Sequence, residues 1–301
     1  MRPADAPLDW QRDGGDWPHR EHSRFVEAAG LRWHLQRWPA PRPDAGTIVL
    51  LHGTGASTHS WRGLAPLLAR DHAVLAMDLP GHAFTSAPVS TDMSLAGMAV
   101  ALAGLFESLA VQPSCLMGHS AGAAIAVQMA LSGSIAGLAR IVAINGAFLP
   151  FGGVAAPLLS PLARLMHAAP WVPRLFARRA ADPAVVRRLI EGTGSRLDAD
   201  GLALYGALIR NPDHARAALG MMAHWDLQPL YRNLPTLALP LALLAGERDS
   251  AVPPRQAVRV AARCASAHVV LLPQLGHLAH EEDPAAIADV LRGLVGRSDA
   301  S

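Results

Sequence analysis

Gly118-His119-Ser120-Ala121-Gly122 follows a short apolar run, Ser114 to Met117, and precedes an alanine-rich helical pattern, Ala123 to Leu131. That context reads as strand, sharp turn, helix. A serine on such a turn takes a strained backbone position that projects its hydroxyl beyond the sheet edge, and small residues two before and two after it let the chains pass closely. Glycine and serine are common in all turns, so the pentapeptide alone decides little. The chain on either side of it decides.

Upstream, Thr47 to Leu51 is a continuous apolar run ending at His52-Gly53-Thr54-Gly55, and Ala73 to Met77 is another ending at Asp78-Leu79-Pro80-Gly81-His82. Trp61 to Ala69 and Ser94 to Leu109 carry helical periodicity between these runs. Downstream, Arg140 to Ile144 is a further strand ending at Asn145-Gly146. Buried strands alternating with helices imply a parallel sheet covered on both faces, with active residues gathered beyond the carboxyl ends of the strands. Near the start, Arg24 to Ala28 and Leu31 to Trp38 flank Ala29-Gly30 and predict an antiparallel hairpin of edge strands.

After Ala147 the alternation stops. A helix-only stretch, broken by Pro150, Pro157, Pro161, Pro170, Pro173, Pro183 and Pro212, reads as a lid over 147–233 inserted into a core made of 1–146 and 234–301. Alternation resumes with the strands Leu239 to Ala245 and His268 to Leu272, separated by a helix around Pro254 to Arg263, and closes on a helix from Pro284 to Val295.

Composition removes several functions. The 301 residues are 51% hydrophobic, enough for a sizeable core, and the formal charge is only +2 with no basic and aromatic alternation, so nucleic acid is not an expected partner. All 26 Lys and Arg residues are arginine, which excludes Schiff-base chemistry on a lysine. Cys115 and Cys264, each in an apolar segment, read as buried thiols rather than a disulfide or zinc site. The 14 histidines show no HExxH or clustered Cys/His spacing, so neither a metal nor a cofactor is expected. Met1 to Arg24 lacks the apolar core of a secretory signal, and Leu95 to Val111 and Ala121 to Leu131 are too short or too interrupted, at Glu107 and Gln128, to span a bilayer. These features predict a cytoplasmic protein.

Two loops add an acid and a base. Leu244-Ala245-Gly246-Glu247-Arg248-Asp249 places a carboxylate after one strand, and Leu275-Gly276-His277 places an imidazole after the next, at the same edge as Ser120. A serine hydroxyl needs a base to take its proton, which assigns that part to His277; Asp249 would hold the other ring N–H and fix the tautomer, with Glu247 and Asp283 as rival acids. The backbone N–H groups of Thr54 and Ala121 would supply an oxyanion hole. His52 and His82, in turn motifs, are expected to brace loops; His119 either lines the pocket or packs as a hydrogen-bonded residue; His280, followed by Glu281-Glu282-Asp283, is expected to be solvated or to start a helix.

His52-Gly53, Asp78-Leu79-Pro80-Gly81-His82, Gly118 to Gly122, Gly246 to Asp249 and Gly276-His277, in this order, resemble the α/β-hydrolase fold family over roughly Phe25 to Val295. The resemblance implies an α/β architecture: a mostly parallel eight-stranded sheet with helices on both faces, a helical lid, and nucleophilic chemistry in the order Ser, Asp, His. Ala83 departs from the pattern, which usually continues with glycine, and leaves the local turn geometry open. A narrower similarity lies in Asp16-Trp17-Pro18, Ser23 to Ala28, Gly30 to His34 and His52 to Trp61. These segments resemble the hydrolase-like accessory proteins of magnesium chelatase in bacteriochlorophyll biosynthesis, and imply a setting in tetrapyrrole metabolism with chelatase subunits as partners.

The lid sequence carries Arg164, Arg174, Arg178, Arg179, Arg187 and Arg188 among Trp171, Leu175, Phe176 and Leu189. One reading is a solvated basic face. A second has Arg178 and Arg179 grip carboxylates while the apolar side covers a macrocycle, with Trp225, Met221 and Met222 beneath the lid or in its core; a third is contact with a membrane surface. Two functions follow. The first is a serine hydrolase acting on a small-molecule ester or thioester, a tetrapyrrole or its ester being the implied substrate. The alternative is an accessory or carrier protein that holds a porphyrin intermediate for magnesium chelatase without hydrolytic turnover.

Overall fold

The computed structural model describes residues 8–87, 92–150, 169 and 171–296. Eight strands form one sheet: β1 (Ser23–Ala28), β2 (Leu31–Trp38), β3 (Thr47–Leu51), β4 (Ala73–Met77), β5 (Cys115–His119), β6 (Arg140–Ile144), β7 (Leu241–Gly246) and β8 (Ala267–Leu272), in the spatial order β1-β2-β4-β3-β5-β6-β7-β8. β1 and β2 pair antiparallel, as do β2 and β4, and every later pairing is parallel. The β1–β2 turn is made by Ala29 at φ 50° and Gly30 at φ 74°, the left-handed pair that a tight hairpin needs.

The apolar strands run without alternation because both faces are covered. Successive side chains of β3 divide between two cores: Val49 and Leu51 pack against helices α1 (Leu95–Ser108) and α2 (Ala121–Leu131), whereas Ile48 and Leu50 join Trp61, Leu64 and the closing helix. β5 and β6 split the same way, with Leu116 and Ile141 on the first side and Met117 and Val142 on the second.

Two expectations are corrected. β2 is not an edge strand: it lies between β1 and β4, and His34 and Gln36 on one face are as buried as Trp33 and Leu35 on the other. Trp61 to Ala69 is not one helix but a 3-10 turn, Thr58–Trp61, and a single helical turn, Ala65–Leu68. Gly63 separates them where a side chain would lie 2.8 Å from Pro284 Cγ, so this connection is shaped by close packing on the start of the closing helix.

Between β6 and β7 the described residues form five helices: α3 (Trp171–Arg179), α4 (Pro183–Glu191), α5 (Ala199–Ile209), α6 (Pro212–Ala223) and α7 (Gln228–Asn233). Pro183 and Pro212 start helices rather than merely interrupting them. Each occupies the first turn behind a capping residue, Asp182 accepting from Ala184 N and Asn211 accepting from Asp213 N and His214 N. Residues 151–168 and 170 of the expected lid, including Arg164, lie outside the described residues, as do 1–7, 88–91 and 297–301. Helices α8 (Arg255–Ala261) and α9 (Pro284–Gly296) complete the two layers. No helix among the described residues is long and apolar enough to cross a membrane.

Candidate active site

β5 ends directly on Ser120, whose backbone sits at φ 50°, ψ −113° before α2 begins at Ala121. A non-glycine residue in the left-handed half of conformational space is strained, and the surroundings fix it there. Ser120 N–H donates to Ile144 O at 3.0 Å, and Ser120 O accepts from Ala123 N and Ala147 N at 3.2 and 3.1 Å. The flanking glycines are required by contact: a Cβ on Gly118 would lie 2.4 Å from Ala123 N, and one on Gly122 would lie 2.0 Å from Leu51 O.

The loops after β7 and β8 bring Asp249 and His277 together. His277 Nδ1–H donates to Asp249 Oδ2 at 2.8 Å, with the Asp249 side chain fully buried. The remaining capacity of the carboxylate is taken up: Oδ1 accepts from Ala251 N and Val252 N, both at 2.8 Å, and Oδ2 also accepts from Asn145 Nδ2 at 2.5 Å. With Nδ1 holding its proton, Nε2 is the basic nitrogen of His277. The rival acids are placed elsewhere: Glu247 is exposed, and Asp283 accepts from Ala286 N at the start of α9.

Thr54 lies on the loop after β3, pressed against the Ser120 turn; a Cβ on the adjacent Gly53 would stand 3.1 Å from Ser120 Cβ. Ala121 N–H belongs to the first turn of α2, where backbone donors have no intrahelical acceptor. Two histidines hold the Thr54 loop from behind. His52 donates from Nδ1 to Gly53 O at 2.8 Å and accepts Leu79 N–H on Nε2 at 2.8 Å. His214, from α6, donates from Nε2 to Gly55 O at 3.0 Å and accepts Ala83 N–H on Nδ1 at 3.0 Å. The carbonyls on both sides of Thr54 are thus tied to the 79–83 loop through imidazoles, each using one nitrogen as donor and the other as acceptor, which only the neutral ring can do. Burial lowers the pKa of both, that of His214 to about 4. Ala83 itself sits at φ 43°, so alanine adopts the conformation for which glycine is the ordinary choice.

A description of the alpha/beta hydrolase family matches residues 48–290. The chain belongs to the alpha/beta hydrolase family. It is 37% identical over 281 residues to the magnesium-chelatase 30 kDa subunit of Rhodobacter capsulatus, an alignment covering 93% of this chain and 95% of that one. Among solved structures it is similar to an alpha/beta hydrolase fold protein from Burkholderia ambifaria, with a TM-score of 0.72, 24% identity and coverage of 90% of this chain and 99% of that one. It is also similar to a thermophilic esterase from Thermogutta terrifontis, with a TM-score of 0.71, 21% identity and coverage of 91% and 98%. These two likenesses are of fold.

In this alpha/beta hydrolase family member the segment between α4 and α5 closes on the loops after β7 and β8. Ser195 Oγ accepts Leu278 N–H at 2.8 Å, and Thr193 O accepts Ser250 N–H at 3.2 Å. Gly194, at φ 83°, leaves no room for a side chain, since a Cβ would fall 1.9 Å from Arg248 O. Glu282 Oε1 accepts Gly276 N–H at 2.9 Å from the other side. Deeper in the same region, Glu281 meets Arg62 and accepts from Tyr205 OH at 2.7 Å, joining α5 to the core; burial raises its pKa to about 7 against the opposing pull of Arg62.

His119 is buried behind His277, donating from Nε2 to His277 O at 2.9 Å. Of the two expectations for His280, solvation does not hold and the helix start does: it lies in the first turn of the short helix Ala279–Glu282. It is 0% exposed, with its ring centroid 4.5 Å from both His119 and Trp61, because the loop after β8 turns it back under the sheet edge. Met221 is fully buried beside Thr54, whose Oγ1 lies 3.4 Å from Met221 Sδ, while Met222 is 40% exposed. Trp225 is half-buried and its indole N–H has no hydrogen-bond partner among the described residues. Arg178 and Arg179 lie exposed in the last turn of α3.

Away from this edge, Ser23, His34 and Asp78 form a hydrogen-bonded Ser-His-Asp chain. His34 Nδ1 lies 2.7 Å from Asp78 Oδ2 and its Nε2 lies 3.0 Å from Ser23 Oγ. Burial opposes ionisation of Asp78, but His34 and the Thr58 N–H outweigh it and hold the acid at about 2. Ser23 opens β1 in ordinary extended conformation, φ −72° and ψ 140°, with no helix start behind it to receive an oxyanion. This chain fastens β1, β2 and β4 together. Asn145, at the end of β6 before a glycine, is legible in the sequence as lying at the shared edge, though not its bonds; His214, Ser195 and Glu282 carry no such positional signal.

Proposed function

We propose that the chain is a serine hydrolase in which Ser120 attacks an ester or thioester carbonyl. His277 Nε2 takes the hydroxyl proton, the carbonyl oxygen becomes the oxyanion, and the leaving alcohol or thiol departs with that proton, giving an acyl-enzyme. A water then attacks the acyl carbon with the same base, releasing the acid and restoring Ser120. Thr54 N–H and Ala121 N–H serve the oxyanion, each worth about 3 to 4 kcal/mol. The observation that carries the reading is the fully satisfied Asp249 carboxylate holding His277 Nδ1–H, at the same sheet edge as a serine in strained backbone. Residues 147–233 act as a helical lid in this reading.

The substrate class is a tetrapyrrole ester, supported by the 37% identity to a protein named as a magnesium-chelatase subunit. A fluorophosphonate probe tests the chemistry. Labelling at Ser120, abolished in Ser120→Ala, is the expected result; no labelling of the native chain, or labelling carried by Ser23, overturns it. The name of that same relative favours a second reading, a carrier that presents a porphyrin to the chelatase. It requires saturable quenching of tryptophan fluorescence by protoporphyrin IX in a protein that the probe does not label.

A further inference from the structure

We infer that His119 is a positioning residue that holds His277 at a set distance from Ser120, on the reading of those two as base and nucleophile. The loop that carries His277 is held by four side chains: Glu282 Oε1 accepts Gly276 N–H, Asn145 Nδ2 donates to Gly276 O, Ser195 Oγ accepts Leu278 N–H, and His119 Nε2 donates to His277 O at 2.9 Å. Glu282 belongs to the same loop's own short helix, Asn145 follows β6, and Ser195 comes from the segment between α4 and α5. Among the described residues, only His119 makes a hydrogen bond to this loop from β5, the strand that ends on Ser120.

Both ends of this link are anchored. On one side Ser120 N–H donates to Ile144 O at 3.0 Å and ties the turn beside His119 to β6. On the other side the bond ends on the carbonyl of His277 itself rather than on a neighbour. The ring also meets the loop after β3: a Cβ on Gly53 would stand 2.7 Å from His119 Nδ1, so the segment that carries Thr54 packs directly against it. One buried imidazole thus touches the segments of the nucleophile, the base and a proposed oxyanion donor. A displacement of about 1 Å in such a constellation can cost about 100-fold in rate, which sets the scale of what a spacer of this kind protects.

The ring is suited to this part because it stays uncharged. His119 is buried, and burial together with the neighbouring His280 and His277 rings holds its pKa well below the ordinary value. A neutral imidazole has one N–H, and the carbonyl acceptor fixes it on Nε2. The bond therefore survives across the neutral range. His119 also adds no positive charge beside the imidazolium that His277 becomes during attack, their ring centroids being 4.7 Å apart.

Ser120→Cys in the full chain supplies a probe of this distance that needs no turnover. A thiol within reach of His277 passes its proton to the ring and reacts as thiolate at about pH 6, where an ordinary thiol, with a pKa of about 8.5, is almost wholly protonated. The measurement is the rate at which the introduced sulfur displaces iodide from iodoacetamide, located by mass spectrometry apart from the buried Cys115 and Cys264. Adding His277→Ala defines the uncoupled rate, which should be at least about tenfold slower. Adding His119→Leu should remove most of that gain. His119→Asn should do the same, its amide stopping short of His277 O, whereas His119→Gln, whose amide nitrogen takes the place of Nε2, should keep the rate within about threefold. All three variants lose the ring and its packing on His280, so only the restored donor separates glutamine from the others. Should the leucine variant not fold, as judged by its melting temperature, asparagine against glutamine decides the same point. A fast rate in all the variants, a loss with glutamine equal to that with leucine, or a starting rate that His277→Ala does not change would each overturn the inference. Fluorophosphonate labelling of the native chain is scored separately: a chain that the probe does not label, but whose introduced thiol follows this pattern, keeps the positioning role and loses the hydrolase reading.

Discussion

The Asn145 side-chain amide donates to Asp249 Oδ2 at 2.5 Å, the same oxygen that takes the His277 Nδ1 proton. Its second proton reaches Gly276 O at 3.2 Å, one residue before His277. Asn145 stands at the end of β6 at φ 49°, a conformation that asparagine tolerates better than most residues, and so spans the gap between the loops that follow β7 and β8. One side chain thereby fixes both the acid and the segment that carries the imidazole.

Asn145→Ala should slow fluorophosphonate inactivation of Ser120 by about 10- to 100-fold, the cost of a hydrogen bond to a charged group. The measurement is the second-order rate of probe labelling near neutral pH, with the melting temperature as a control on folding. A rate equal to that of the native chain would show that Asp249 and His277 hold their geometry without the amide.

His214 makes a different prediction because it holds the Thr54 loop, which supplies an oxyanion donor in the proposed hydrolase. His214→Phe keeps the ring volume but removes the donor to Gly55 O and the acceptor for Ala83 N–H. Turnover of a simple ester should fall about tenfold or more with KM little changed, since a misplaced Thr54 N–H is felt mainly in the transition state. His214→Gln, which can both donate and accept, should recover part of the loss. A rise in KM with unchanged kcat would instead assign His214 to substrate binding.

Much of this was readable from the chain, and the parts that were not share a cause. The strands β3 to β7 announce themselves as apolar runs, and Ser120, Asp249 and His277 each follow one of the strands, so their shared edge follows from topology alone. The burial of His280 is not legible because its neighbours are Glu281, Glu282 and Asp283, a polar context in sequence, whereas its environment in space is Trp61 and His119. The burial of β2 is not legible because Arg32, His34 and Gln36 look like a solvent face until Asp78 and the 18–19 segment take up His34 and Gln36. His214 and Ser195 lie in a helical region whose sequence says nothing of which loop it touches. Partnerships across more than about a hundred residues, such as His214 with Gly55 at a separation of 159, leave no local periodicity to read.

Ala83 carries a prediction of its own sign. At φ 43° an alanine costs about 1 kcal/mol relative to glycine, while glycine gives back part of that through the freer unfolded chain. Ala83→Gly should therefore be neutral or stabilising by up to about 0.5 kcal/mol in urea unfolding, with the His214 bond retained. Destabilisation beyond about 1 kcal/mol would mean that the methyl group contributes packing that outweighs the backbone strain.

Stability should fall steeply between pH 6.5 and pH 4. Burial lowers the pKa of His52, His59, His82, His119, His214 and His280, that of His214 to about 4 and of His280 to about 3. Below pH 6.5 the unfolded chain binds protons at these six positions that the folded chain refuses, so stability drops as pH falls and stops dropping only when the folded rings accept them. His214 alone accounts for about 3 kcal/mol of this as an upper bound. The terms are not additive, because His82 lies 5.3 Å from His52 and 5.2 Å from His214, ring to ring. Glu281 works in the other direction: its pKa, raised to about 7, keeps a proton in the folded state that the unfolded chain releases above its ordinary value of 4.5. One opposing group against these lowered imidazoles, with His72 lowered by burial as well, leaves net proton uptake on unfolding at pH 5. Urea midpoints measured from pH 7.5 to pH 4.5 should show that slope, and His214→Phe should lower it by about one proton. Stability independent of pH over this range, or proton release on unfolding, would mean that the buried rings are charged or solvated in the native protein.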